Sequence, residues 1–146
     1  LKILNDEICE TTTRGMFVTM IVGVYDKNKN ELLLSNAGHE PPLIFSSDGN
    51  FKTVDEAGPP LGIAPNFKFT EQTISFKESS MYIFTDGITE MKNTNGDMLG
   101  QEGFQDYIKK YQSTPNNKRL QKIIEDLISS GRIQKDDLTI VTVDGK

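Results

Sequence analysis

The sequence predicts a layered α+β domain in which several strands, largely antiparallel, are covered by helices. Three observations carry this. Residues 16–84 hold short apolar runs, several alternating with period two and cut by Asn-, Asp-, Gly- and Pro-rich turns. Residues 103–131 change to a helical period. A last apolar run, Leu138, Ile140, Val141 and Val143, returns to strand.

The chain opens on a helix over residues 1–13, with Leu1, Leu4 and Ile8 on one face and Ile3 beside it. Met16 to Tyr25 then alternates two sets that are both largely apolar, which predicts a central strand covered on both faces. Asp26 to Asn30 is a turn, and Glu31 to Ala37 completes a hairpin. A second hairpin joins Leu43–Phe45 to Phe51–Val54 across Asp48-Gly49. Ala57-Gly58-Pro59-Pro60-Leu61-Gly62 is irregular, because its two prolines lack donors and fix φ. Phe67 to Phe76 reads as a strand with one wet face, and Met81 to Phe84 as a buried strand running into a Thr85-Asp86-Gly87 loop.

Gly103 to Tyr111 is a short helix. A clearer one follows, with Thr114 as N-cap, Pro115 at the first helical position and Gly131 past the end. Its apolar stripe is Leu120, Ile123, Ile124, Leu127 and Ile128.

The 146 residues carry a net charge of −5 and only three arginines, so no basic stripe is available to displace counterions from a nucleic acid. No apolar run approaches the roughly 20 residues of a membrane-spanning helix, and no leader pattern is present. One cysteine, Cys9, and one histidine, His39, exclude an internal disulfide and a Cys/His zinc cage, and a reducing cytoplasm is the expected compartment. Cys9 reads as a small buried thiol. Glycine-rich phosphate loops and a Gly-x-Ser-x-Gly elbow are absent. Starting at Leu1 inside a helix, the chain reads as a piece of something longer.

Carboxylates remain as the candidate chemistry. Asp86 ends one apolar strand, and Asp136 and Asp137 enter another. If those strands are antiparallel neighbours, the acids share one sheet edge. Two carboxylates about 4 Å apart repel by on the order of 4 kcal/mol at an effective dielectric near 20. A shared proton or a divalent cation relieves that repulsion, and oxygen-only ligands favour Mg²⁺ or Mn²⁺. The plainer alternative is a turn at Asp86-Gly87 and a solvated cap at Asp136-Asp137; spacing alone leaves both open. His39, in a Gly/Pro loop, reads as a hydrogen-bonded loop anchor ahead of a base, though composition and period do not settle it.

Four motifs occur in order: Asn36-Ala37-Gly38-His39-Glu40-Pro41-Pro42-Leu43, Gly58-Pro59-Pro60-Leu61-Gly62, Phe84-Thr85-Asp86-Gly87-Ile88-Thr89-Glu90 and Asp136-Asp137-Leu138-Thr139-Ile140-Val141. Together they resemble the C-terminal part of the SpoIIE/RsbU-like branch of the metal-dependent (PPM, type 2C) serine/threonine protein phosphatases. Asn95-Gly96-Asp97-Met98-Leu99-Gly100 and Phe17-Val18-Thr19-Met20 resemble further segments of that branch. The resemblance implies a layered antiparallel β-sandwich flanked by helices, incomplete at the N-terminus, with residues 1–146 as the C-terminal portion of a single phosphatase domain. It also implies a binuclear Mn²⁺ or Mg²⁺ site with Asp86 and Asp136 as ligands and no protein nucleophile. Asp137 stands where the wider family often has Asn, so it would position Asp136 or order water. Gly87, Asn36 and His39 would shape the loops around the site.

The implied reaction is hydrolysis of phosphoserine or phosphothreonine on a regulatory protein, such as a STAS-type anti-anti-sigma factor. The competing class is a phosphoprotein-binding or scaffold module that keeps the fold without catalysis; a third reading is an unrelated α+β domain. The family's Gly-Gly-Asp and Asp-x-Ser-Gly-x-Gly segments have no counterpart here, so the piece alone is expected to show weak metal binding, little activity and a tendency to pair with another copy. The carboxylates of Asp86 and Asp136 are expected about 4–6 Å apart. Gly58–Gly62 is expected beside Asn36–Pro42, with His39 bonded to backbone or carboxylate.

Overall fold

The computed structural model describes residues 1–12, 15–54 and 58–145; Ala57 of the Gly/Pro motif and Thr13 of the first helix lie outside them. Helix α1 (Lys2–Thr11) precedes strands β1 (Met20–Asp26), β2 (Glu31–Ala37), β3 (Leu43–Phe45), β4 (Phe51–Thr53), β5 (Gln72–Ser75) and β6 (Ser80–Phe84). Helices α2 (Asp86–Thr89), α3 (Gly100–Lys110) and α4 (Asn116–Ser129) follow, and β7 (Ile140–Asp144) closes the chain.

All strand pairs are antiparallel. They form a three-stranded sheet in the order β1-β2-β5 and a four-stranded sheet in the order β4-β3-β6-β7. The period of two sorts side chains between two cores. Ile44 and Met81 join Leu32, Leu34, Val54 and Phe76 between the sheets. Their strand neighbours Leu43, Phe45, Tyr82 and Phe84 turn the other way, against Ile88, Phe104, Ile108, Ile123 and Leu127 of the helices. The layers are therefore sheet, sheet and helices, which is the predicted α+β arrangement. No described helix is long and apolar enough to cross a membrane.

Several elements depart from expectation. β1 is an edge strand, and only one of its faces is covered. Ile21 and Tyr25 pack inward, whereas Val22 and Val24 are 41% and 65% exposed. Period two reveals that both faces are apolar, not what covers them. In α1, Leu4 and Ile3 face solvent and the fully buried residue is Asn5. Cys9 is half-buried, not buried. Phe67 and Phe69 lie outside β5 and pair edge-on with each other, ring centroids 5.0 Å apart. Asp86 begins the single-turn helix α2 instead of a loop. Helix α4 starts at Asn116 with Pro115 in the cap, so Thr114 does not cap it. Ile123 and Leu127 are its buried apolar residues, and Ile128 is exposed. Beside them Arg119, 6% exposed, donates to Asp144 of β7, which also accepts from the Ser80 hydroxyl of β6.

Candidate functional site

The β6–β7 pair brings the acids together. Phe84 is paired with Ile140 at the last register position, and the lacing continues past the strands. Thr85 donates its backbone N–H to the Thr139 carbonyl, its hydroxyl donates to the Asp137 carbonyl, and the Thr139 N–H donates to that same hydroxyl, each at 3.2 Å. Asp86 and Asp136-Asp137 therefore stand at one end of one sheet. The buried Gly87 closes the gap, since a Cβ on it would lie 2.4 Å from the Asp137 carbonyl oxygen and 3.5 Å from the Asp136 carbonyl carbon.

Each acid is exposed and unpaired with any cation among the described residues. The Asp86 carboxylate has no hydrogen-bond partner among them. Asp136 uses one oxygen to accept the Asp137 N–H at 2.7 Å, and its carbonyl accepts from the Gln134 amide at 2.9 Å. Carboxylates are the donor type that suits a hard divalent cation, and the backbone segments that carry these three acids meet at one sheet end. Among the described residues no group of three or more His, Cys, Asp or Glu converges tightly enough to hold a metal by itself. The donor set is thus of the right chemistry and only partial.

A second motif forms the adjoining wall. Asn36, fully buried, clasps the turn that follows β2: its amide donates to the His39 carbonyl and its oxygen accepts the His39 N–H, both at 2.9 Å. The side chain thereby satisfies backbone groups at a bend where the ladder ends. Gly38 adopts φ +66°, and a Cβ there would sit 2.4 Å from Pro60. The Gly58–Gly62 segment does lie against this hairpin end: Gly58 bridges Ala37, and Leu61 exchanges two backbone hydrogen bonds with Val18. The His39 ring differs from expectation, because Nδ1 meets the Thr19 hydroxyl at 3.1 Å instead of backbone or carboxylate. Thr19, Gly38, His39, Glu40, Thr85 and Asp86 line one cleft of about 200 Å³.

Two residues of this region are not singled out by the motifs, although Thr19 lies within Phe17-Val18-Thr19-Met20. Asn5 of α1 donates to the Ala64 carbonyl at 2.8 Å and accepts the Gly62 N–H at 3.0 Å, fixing the Gly/Pro loop from behind. Thr19 aims the imidazole. Neither belongs to a charged or glycine-rich pattern; a polar residue amid the apolar positions of α1 is the one signal that points to Asn5.

A family model described as stage II sporulation protein E (SpoIIE) matches residues 1–146. Protein IcfG of Synechocystis is 31% identical over 147 residues, covering 98% of this chain and 23% of that protein. Phosphoserine phosphatase RsbU of Bacillus subtilis is 27% identical over 146 residues, covering 98% of this chain and 43% of its own. The chain thus spans less than half the length of these curated relatives. Among solved structures, the RsbU and RsbW domains of Rv1364c from Mycobacterium tuberculosis superpose with a TM-score of 0.76 at 24% identity, over 94% of this chain and 38% of that one.

Proposed function

Because the chain belongs to the SpoIIE family, we propose that it is the C-terminal portion of a phosphatase domain that hydrolyses phosphoserine or phosphothreonine on a regulatory protein. The observation that supports this best is the meeting of Asp86 with Asp136-Asp137 at one sheet end, sealed by Gly87. Asp86 and Asp136 are the metal ligands in this reading. They would hold a divalent cation such as Mn²⁺ or Mg²⁺, which when bound would supply a lowered pKa for a coordinated water and neutralisation of charge on the phosphoryl oxygens.

The chain's own residues supply position. Asp137 holds the Asp136 carboxylate through its N–H, leaving the second oxygen open. Thr85 fixes the spacing of the two acid-bearing segments, and Asn36 fixes the opposite wall of the cleft. No protein nucleophile is required. The substrate is a phosphorylated regulatory protein, for which a STAS-type anti-anti-sigma factor is the expected class, and the reaction takes place in the cytoplasm. The partial donor set favours one alternative, a phosphoprotein-binding module without turnover.

Mn²⁺-dependent release of phosphate from a phosphoserine protein by the full-length polypeptide separates the two. Asp86→Asn or Asp136→Asn should abolish release and leave Tm unchanged, since neither carboxylate supports an ion pair. Binding without release, unaffected by EDTA or by either substitution, would establish the alternative.

A further inference from the structure

We propose that His39 contacts the substrate, its Nε2 donating a hydrogen bond to the phosphoryl group in the cleft it shares with Asp86. This rests on the phosphatase reading and adds a residue to it.

The argument begins with what the imidazole is not needed for. Asn36 already locks the turn through the His39 backbone, from both the N–H and the carbonyl. Gly38 and Pro60 interlock so tightly that a single methyl would clash. The loop therefore keeps its shape without help from the ring. The ring is nonetheless held, because Thr19 meets Nδ1 at 3.1 Å, and Nε2 has no partner among the described residues.

The cleft's composition supplies the second half. Its side chains are two carboxylates, Glu40 and Asp86, two hydroxyls, Thr19 and Thr85, and the imidazole. Among the described residues no lysine or arginine lines it. A phosphoryl group entering there meets acceptors, hydroxyls and one nitrogen. In this proposal the Thr19 hydroxyl donates to Nδ1, the tautomer that leaves a proton on Nε2 and makes it that nitrogen donor. A hydrogen bond to a charged oxygen is among the stronger ones, and a donor placed where charge gathers favours the transition state.

Amide substitutions separate this role from a structural one. Glutamine reaches about as far as Nε2, whereas asparagine reaches only as far as Nδ1 and can still meet Thr19. Steady-state phosphate release by the full-length protein should fall about 10- to 100-fold in kcat/KM for His39→Asn and His39→Ala. His39→Gln should recover most of that loss. Tm and the Mn²⁺ concentration for half-activation should not move in any of the three. Asparagine performing as well as glutamine, or losses that track Tm, would assign His39 to loop shape and overturn the proposal. Active wild-type protein with three equally active variants would also overturn it, leaving the phosphatase reading intact. A wild-type protein with no metal-dependent release would sink that reading, and this one with it.

Discussion

Gly87 passes the Asp137 carbonyl so closely that a Cβ on it would lie 2.4 Å from the oxygen. The obstacle is backbone held by the Thr85 and Thr139 hydrogen bonds, so it cannot rotate away as a side chain would. Gly87→Ala should therefore push Asp86 away from Asp136-Asp137. The expected cost is about 1–3 kcal/mol of stability, typical of overpacking. Metal-dependent phosphate release should fall more steeply than Tm. A Gly87→Ala protein with wild-type Tm and turnover would mean that the two segments are not held in this register.

The parts of this arrangement that were legible in the sequence are those that depend on local pattern. Glu31–Ala37 emerges as β2 at its expected bounds because alternation and the preceding turn both specify it. The convergence of Asp86 with Asp136 follows from two apolar runs being antiparallel neighbours. What pattern could not convey is which element lies opposite which. Asn5 is buried because Gly62 and Ala64 present backbone groups to it from some 60 residues away. Phe67 leaves the strand because its ring covers Gly58, where a Cβ would sit 2.2 Å from the ring edge. Both facts belong to tertiary contacts that no local window contains.

Tyr82 carries a buried hydroxyl that makes no well-formed hydrogen bond among the described residues, with the Ser80 side chain near it, and burial raises its pKa above the ordinary phenol value. Its ring packs edge-on against Phe104 and beneath Arg119, contacts that a phenylalanine keeps. An unsatisfied buried hydroxyl costs stability, so removing it should help. Tyr82→Phe should be no less stable than wild type, and up to about 1 kcal/mol more stable by urea unfolding. A clear loss would show that the hydroxyl is satisfied.

Lys110 of α3 and Tyr111 both donate to Asp126 of α4. The Lys110 hydrogen bond holds the Asp126 carboxyl below its usual range, against the opposing effect of burial. A carboxyl with a depressed folded pKa stabilises the fold above its unfolded value, near 3.9, and loses that contribution as pH falls through the folded pKa. Asp126→Asn should therefore lower Tm at neutral pH, by a small amount that shrinks in high salt. The gap between the two proteins should close as pH drops below about 4. A gap that persists in acid would point to packing instead of charge.

The outer edge of β1 is unpaired in the sheet order, and the strand, Met20 to Asp26, carries no lysine or arginine to deter another strand. Its outward residues Val22 and Val24 join Leu33 of β2 in an apolar face, 41%, 65% and 38% exposed respectively. A groove of about 510 Å³ runs over that face, walled by Leu1 and Phe69 with Lys2, Lys68 and Glu71 at its rim. An open edge beside an apolar face is the arrangement that pairs with itself, because one association hides both backbone donors and hydrocarbon. The 146-residue chain expressed alone should therefore show concentration-dependent dimers by sedimentation. Val24→Lys places a charge at the most exposed of the three positions, where a substitution is expected to change stability by about 0.5 kcal/mol or less. It should return the chain to monomer with an unchanged Tm. Monomeric wild-type chain at high concentration, or equal association by Val24→Lys, would show that this face does not drive pairing.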